Sequence, residues 1–258
     1  MCRWAAYLGE PIYLEDIVTA PGQSLIDQSL HAAEAKTETN GDGFGIAWYG
    51  EREEPGTYHD VLPAWSDGNL RSLSHQVRSR LFLAHVRAAT GTATSRANCH
   101  PFTVGRWSFM HNGQVGGYTG FRRDVDMMIS EECYRHRFGA TDSEAIFLIA
   151  MGDGLADDPK GALERATGKL ERMSRETGIT PHMRMTVAMT DGEALYCARY
   201  ASDEHAPSLY HRAYTGGRAV VSEPLDRKQE GWEEVPASSF VTVRGNNVLV
   251  EAFTPTTG

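Results

Sequence analysis

Short apolar runs of strand length recur along the whole chain and predict β-strands. They cover residues 3–8, 46–49, 81–87, 107–111, 183–189, 194–200, 218–222, 239–243 and 248–253. Two pairs of these runs are separated by turn residues, Thr190-Asp191-Gly192-Glu193 and Gly245-Asn246-Asn247. An Asp-Gly step between apolar runs is typical of a β-hairpin, so we expect antiparallel neighbours in the second half of the chain.

Apolar residues three and four apart predict helices in four other stretches. These are 23–35, 69–77, 141–151 and 159–176. The helix over 141–151 has the clearest start, because Thr141 or Asp142 can cap it and Glu144 lies in its first turn. Small and polar residues over 88–101 predict a loop.

Strands and helices are interspersed, but the hairpins argue against a doubly wound parallel sheet. There is no internal repeat, low-complexity tract or linker in the sequence. We therefore predict a single α+β domain over residues 1–258, built on stacked antiparallel sheets.

Composition excludes several classes of function. The 258 residues carry a net charge of −9 and no block of Lys and Arg, which argues against binding nucleic acid or anionic membranes. No apolar run reaches the ~18 residues of a membrane span, and the N-terminal residues do not resemble a signal peptide. The four cysteines are far apart in sequence and form no CxxC pair. We predict a cytoplasmic protein with reduced thiols, no metal and no cofactor.

Cys2 is the most informative residue for chemistry. If Met1 is removed, Cys2 carries both a thiol and a free α-amine, so that one residue holds a nucleophile and a base. Free α-amines titrate at about 7.7–8.0 and thiols at about 8.5, so the amine can take the proton of the thiol. The alternative is that Cys2 merely begins a strand.

Three other segments can carry chemistry, each with a structural alternative. Arg87 ends an apolar strand and could grip a carboxylate, or simply emerge into solvent. Asn112-Gly113 could supply two oxyanion donors, or form an ordinary turn. Asp142 could hold an ammonium group, or only cap its helix. Cys99-His100 suggests a metal site, but no partner motif has ligand spacing.

Taken in order, these segments resemble the class II, N-terminal nucleophile glutamine amidotransferases. The matching positions are Cys2, Gly41-Asp42-Gly43-Phe44-Gly45, Arg87 with Thr90, His100-Pro101, His111-Asn112-Gly113 and Thr141-Asp142-Ser143-Glu144. The rest of the chain is similar to stand-alone members of the superfamily, including the γ-glutamyl hydrolase of ergothioneine biosynthesis. The resemblance implies a four-layer αββα sandwich of two antiparallel sheets flanked by helices.

The resemblance also implies a role for each site residue. Cys2 attacks the side-chain amide of glutamine, and its α-amine shuttles the proton. Asn112 and Gly113 stabilise the oxyanion. Arg87 and Asp142 bind the α-carboxylate and the α-ammonium, while Thr90 and His100 shape the pocket.

The chain departs from the family pattern at two places. Glu38-Thr39-Asn40-Gly41 stands where many members have an Arg-Gly pair that organises the N-terminus, and Ala88 replaces a frequent Trp. Support for the N-terminus therefore comes from elsewhere, with Arg3 as one candidate.

The resemblance predicts hydrolysis of glutamine to glutamate and ammonia through a γ-glutamyl thioester on Cys2. Because the chain has no room for a synthase module, its partners are a glutamine-like small molecule and either a separate ammonia-accepting protein or none. A homodimer is compatible with the sequence. Alternatives are hydrolysis of another γ-glutamyl amide, a non-catalytic regulatory subunit that binds a glutamyl group, and, more remotely, a papain-like peptidase.

Overall fold

The computed structural model of the chain describes residues 2–31, 39–89, 93–214, 216–228 and 230–256. In chain order, the strands are β1 (Arg3–Tyr13), β2 (Phe44–Trp48), β3 (Gly56–Asp60), β4 (Arg78–Val86), β5 (Phe102–Val104), β6 (Trp107–Val115), β7 (Met183–Thr190), β8 (Leu195–Ala201), β9 (Tyr210–Tyr214), β10 (Gly217–Val221), β11 (Glu233–Glu234), β12 (Ser239–Arg244) and β13 (Asn247–Ala252). The α-helices are α1 (Glu15–Val18), α2 (Leu25–Leu30), α3 (Gly68–Gln76), α4 (Tyr118–Asp126), α5 (Glu131–Tyr134), α6 (Asp142–Gly152) and α7 (Pro159–Thr177).

The strands form two antiparallel sheets. The first sheet has seven strands in the order β11-β9-β10-β1-β4-β2-β3, and the second has six in the order β13-β12-β8-β7-β6-β5. Both predicted hairpins are present, as β7 with β8 and β12 with β13. The prediction of stacked antiparallel sheets is confirmed.

Helices cover the outer face of each sheet, so the molecule has four layers in the order αββα. Helices α1 to α3 pack on the seven-stranded sheet through a core that includes Ile17, Leu25 and Phe82. Helices α6 and α7 pack on the six-stranded sheet around Phe147 and Leu163. The expected sandwich is therefore confirmed.

Alternation along β1 shows how one strand serves two layers. Ala5 and Tyr7 belong to the core beneath the helices, whereas Trp4, Ala6 and Leu8 belong to the core between the sheets. Successive side chains of a strand point to opposite faces, so an apolar strand without alternation is what a sheet buried on both sides requires.

Some elements differ from the predictions. The helix predicted over 23–35 begins with a capping box between Ser24 and Asp27 but ends at Leu30, and residues 32–35 lie outside the described part of the chain. Strand β1 continues past the predicted end at residue 8, across a register shift between Leu8 and Ile12. Helix α4 and strand β3 were not predicted, since their sequences are mostly polar.

None of the helices in the described part of the chain is long and apolar enough to cross a membrane. The cytoplasmic location and the single domain over residues 1–258 stay predictions.

Candidate active site

Strand pairing places Cys2 beside the end of β4. Arg3 pairs with Val86, so the residue before β1 lies next to the residues that follow β4. The Cys2 sulfur is 3.4 Å from the Ala88 amide nitrogen, which donates to it, and 3.5 Å from the Ala88 carbonyl oxygen. Burial raises the pKa of the Cys2 thiol, against the opposing effects of the Ala88 hydrogen bond and of Arg87 and Arg3. A protonated thiol needs a base nearby in order to act as a nucleophile.

The Gly41-Asp42-Gly43 loop holds the residues after β4 in place. The Asp42 carboxylate accepts a 2.7 Å hydrogen bond from the Ala89 amide, and the backbone of Arg87 bonds to Asp42 and Gly43. The Arg87 guanidinium donates to the carbonyl oxygens of Asp42 and Ala93. These carbonyl groups orient the guanidinium. Thr90, the other predicted residue here, lies outside the described residues.

The end of β6 supplies Asn112 and Gly113. Gly113 has φ +157°, and a Cβ there would lie 1.8 Å from the Arg184 carbonyl oxygen on β7, so only glycine fits. The Asn112 side chain is buried, and its Oδ1 has no hydrogen-bond partner among the described residues. Asn112 pairs with Thr186, whose hydroxyl accepts a hydrogen bond from the Trp4 indole at 3.2 Å. This contact ties β1 to the six-stranded sheet two residues after Cys2.

Asp142 is the first residue of α6, and Thr141 is the cap. The Thr141 hydroxyl accepts from the Glu144 amide at 3.1 Å, which decides between the two capping residues that the sequence allowed. The Asp142 carboxylate accepts from the Val115 and Ser143 amides, both at 2.8 Å. These bonds fix Asp142 between α6 and the end of β6, with its charge at the helix N-terminus.

Histidines form the wall behind the thiol. His100 and His111 line the cavity, and His85 stacks on His100 with ring centroids 4.2 Å apart. Among the described residues, His100 has no hydrogen-bond partner on either ring nitrogen, whereas His111 Nδ1 is 2.8 Å from the Ser143 hydroxyl. Burial lowers the pKa of His85 to about 3 and also lowers the pKa of His100 and His111. All three rings are therefore neutral at pH 7.

These elements enclose a cavity of about 320 Å³. Its walls include Cys2, Arg87, His100, Gly113 and Asp142, so five of the seven predicted site residues come together there. Asn112 is buried nearby but does not form part of the wall.

The sequence did not indicate the rest of the wall. The segment from Gln114 to Thr119 and Ile179 also line the cavity. Two consecutive glycines, Gly116 and Gly117, are the signal that a close backbone approach was needed there.

The charges of the cavity suit a zwitterion. Arg87 is a cation on the seven-stranded side, and Asp142 is an anion on the six-stranded side, with Cys2 in the same wall. An α-amino acid head group carries the complementary pair of charges.

A family model for class II glutamine amidotransferases matches residues 18–212, three quarters of the chain. The chain belongs to this family. The matched range contains Arg87, His100, Asn112, Gly113 and Asp142, and it begins after Cys2.

Two curated relatives of this amidotransferase match nearly all of it. The probable glutamine amidotransferase DUG3 of Saccharomyces cerevisiae is 30% identical, over 97% of this chain and 84% of the yeast protein. The γ-glutamyl-hercynylcysteine sulfoxide hydrolase of Mycolicibacterium smegmatis is 29% identical, over 97% of this chain and 99% of that protein.

Solved structures agree in fold. A glutamine aminotransferase class-II domain protein from Silicibacter pomeroyi is 45% identical, with a TM-score of 0.79 over 98% of this chain and all of that one. Glutamine phosphoribosylpyrophosphate amidotransferase from Bacillus subtilis is 14% identical, with a TM-score of 0.64 over 99% of this chain and 50% of that one. The two proteins share the fold over this part. Membership of this family supports enzymatic activity.

Proposed function

We propose that this amidotransferase hydrolyses the side-chain amide of glutamine-like substrates through a thioester on Cys2. The observation that carries the proposal is the cavity that brings the Cys2 thiol, the Arg87 cation and the Asp142 anion together. Arg87 binds the α-carboxylate and Asp142 binds the α-ammonium, with Thr90 and His100 shaping the pocket. The γ-carboxamide then reaches the sulfur.

The reaction has two halves. The Cys2 sulfur attacks the amide carbon and gives up its proton to its own α-amine, while the Asn112 side chain and the Gly113 amide stabilise the oxyanion. The carbon–nitrogen bond breaks, and the resulting α-ammonium protonates the departing nitrogen. Water then gives a proton to the same amine and attacks the thioester carbon. The carbon–sulfur bond breaks to release glutamate, and the α-ammonium returns the proton to the Cys2 sulfur. The amine is available only after Met1 has been removed.

The neutral histidines fit this scheme. Because His85, His100 and His111 are uncharged at pH 7, they do not repel the Arg87 cation or the amine that must accept a proton.

A second candidate substrate is a γ-glutamyl amide with a larger leaving group. Tyr118, Thr119 and Ile179 also line the cavity, and we expect a group bonded to the amide nitrogen to lie against them. The charge pair recognises only the glutamyl head, so it does not select against such substrates. The name of the mycobacterial relative includes a γ-glutamyl compound, which supports testing this class.

The test is turnover by protein whose N-terminus is Cys2, verified by intact mass. We expect glutamate release from glutamine or from a γ-glutamyl amide, and we expect Cys2→Ala to lower kcat by at least about 10⁴-fold. Cys133→Ala is the matched control, since this half-buried cysteine on α5 lies outside the cavity. Protein that retains Met1 should fold but stay inactive.

Equal turnover by Cys2→Ala would exclude the thioester. Processed wild-type protein that binds glutamine but turns over no γ-glutamyl amide would instead indicate a regulatory subunit. Relative rates on glutamine and on larger γ-glutamyl amides decide between the two substrate classes, and release of free ammonia tests whether an accepting protein is needed.

A further inference from the structure

A buried ion pair lies directly behind the nucleophile. Arg3 Nε donates to Glu223 Oε2 at 2.7 Å, and each side chain is only 1% exposed. The second donor of the same guanidinium, Nη1, reaches the carbonyl oxygen of Cys2 at 3.1 Å. The ion pair thus ends on the backbone of the residue that carries the thiol.

Glu223 comes from the far end of the chain, yet it is rigidly placed. Gln23 Nε2 donates to Glu223 Oε1 at 2.8 Å, and Gln28 Nε2 donates to the carbonyl oxygens of Glu223 and Pro224. The preceding residue, Ser222, exchanges hydrogen bonds with the backbone of Trp4. The carboxylate is therefore fixed relative to β1 and α2 before it meets Arg3.

Stability alone does not account for this pair. Desolvation of two charges offsets much of their attraction, so replacing a buried ion pair by apolar residues is often neutral or stabilising. What an arginine adds is geometry, because its planar fork can hold a carboxylate and a carbonyl oxygen in fixed directions. Here the two acceptors are Glu223 and Cys2.

We propose that Arg3 and Glu223 are positioning residues that fix the Cys2 backbone, so that its amine and thiol keep their productive orientation toward the substrate amide. The proposal rests on the proposed function. Neither residue lines the cavity, so both act through Cys2. Small errors in the placement of a reacting group are costly, whereas substrate binding through Arg87 and Asp142 does not depend on the pair.

The test compares Arg3→Lys and Glu223→Gln with wild type. Lysine keeps the charge for Glu223 but offers a single ammonium in place of the fork, and glutamine keeps the shape of Glu223 without the charge. We expect kcat to fall about 10- to 100-fold in each, while KM for glutamine changes less than about threefold. The control is Arg199→Lys, because Arg199 also joins a carboxylate, that of Glu234, to a carbonyl oxygen but does not line the cavity. It should keep the wild-type kcat.

A milder variant covers the case in which the ion-pair variants do not fold. Gln23→Met removes only the hydrogen bond to Glu223 Oε1, and Gln23 is half-buried. We expect kcat to fall about two- to fivefold at constant KM, because Glu223 is then less firmly held. Wild-type kcat in this variant and in every folded ion-pair variant would overturn the proposal. The proposal would also be overturned if the losses of kcat, corrected for the folded fraction, were no larger than in Arg199→Lys. A change in KM alone would overturn it as well.

Labelling of Cys2 by the glutamine analogue 6-diazo-5-oxo-norleucine separates this proposal from the function itself. If wild type is labelled at Cys2 but hydrolyses no γ-glutamyl amide, the proposed function fails. The labelling rates of the variants then still test whether Arg3 and Glu223 position Cys2. A labelling rate at least about fivefold lower in Arg3→Lys than in wild type supports the positioning role, and an unchanged labelling rate overturns it. Wild type that is neither labelled nor active overturns both proposals.

Discussion

The two sheets contribute to the cavity in different ways. On the seven-stranded side, the residues around the thiol are held by contacts between distant parts of the chain: Cys2 with Ala88, and Arg3 with Glu223, 220 residues away. On the six-stranded side the supporting contacts are closer in sequence. Asp142 bonds to Val115, 27 residues away, and Thr141 caps its own helix.

This difference indicates which side of the cavity is more sensitive to substitution. The six-stranded side is built from the end of β6 and the start of α6, so its donors and its carboxylate depend on the backbone conformation of these two segments. The side that carries Cys2 depends on closure of the chain, since β1 lies between β4 and β10. Local substitutions should therefore act most strongly on the six-stranded side.

Gly113→Ala is the strongest test of that expectation. The added Cβ would lie 1.8 Å from the Arg184 carbonyl oxygen, so β6 and β7 must separate at Gly113, which lines the cavity. We expect activity to fall about 10³-fold, as loss of an oxyanion donor does, and the free energy of unfolding to fall by about 3 kcal/mol. Turnover assays and urea unfolding measure the two effects.

Gly120→Ala is the control for Gly113→Ala. Gly120 lies in α4, and a Cβ there would meet no atom within 4 Å. Alanine should stabilise this helix by up to about 1 kcal/mol and leave turnover unchanged. Wild-type activity in Gly113→Ala would show that the six-stranded side does not supply the oxyanion donor.

The sequence predicted the locally determined parts of the site. Helix α6, the end of β6 and both hairpins follow from short-range patterns of apolar and turn residues. The ion pair of Arg3 with Glu223 and the bond from Asp42 to Ala89 could not be predicted, because nothing local indicates which distant residue will be the partner. Arg3 was a candidate for supporting the N-terminus, but its partner became visible only in the fold. Polar elements such as β3 were missed because their contacts, not their composition, make them strands.

Asp142→Asn tests whether the six-stranded side binds substrate as well as supporting the fold. The substitution keeps one acceptor oxygen but removes the charge that we propose binds the α-ammonium. We expect KM for glutamine to rise about 100-fold, with a smaller change in kcat, because a charge-assisted contact made in both ground and transition states is lost. Steady-state kinetics over a wide glutamine range measures the change.

Two controls separate binding from helix capping in Asp142→Asn. Asp158→Asn alters a carboxylate that caps α7 away from the cavity, and it should leave KM unchanged. Glutaramic acid, which is glutamine without its α-amino group, should be turned over equally slowly by wild type and Asp142→Asn. If the variant is impaired equally on both substrates, Asp142 does not read the ammonium group.

The smallest expected effect is the influence of His85, on the seven-stranded side, on stability at acid pH. From the sequence, His85 was predicted only to be part of a strand. His85 lies on β4 and is 1% exposed. Burial lowers its pKa to about 3, below the value of about 6.5 in the unfolded chain, so unfolding takes up a proton at acid pH. Neutral His85 therefore does not lower the free energy of unfolding above pH 6.5, and the free energy of unfolding falls as pH decreases from 6.5 toward 3.

His85→Gln should remove that loss. Urea unfolding at pH 6.5, 5.5 and 4.5 should show the wild-type free energy of unfolding falling faster than that of the variant, by about 1.4 kcal/mol per pH unit. Titrating carboxylates contribute equally to both proteins and cancel in the difference. His205→Gln, at an exposed position, should keep the wild-type slope. If His85→Gln also keeps the wild-type slope, the His85 ring is protonated within the fold. The seven-stranded side would then carry a second buried cation besides Arg87, and its charge would also act on the Cys2 thiol.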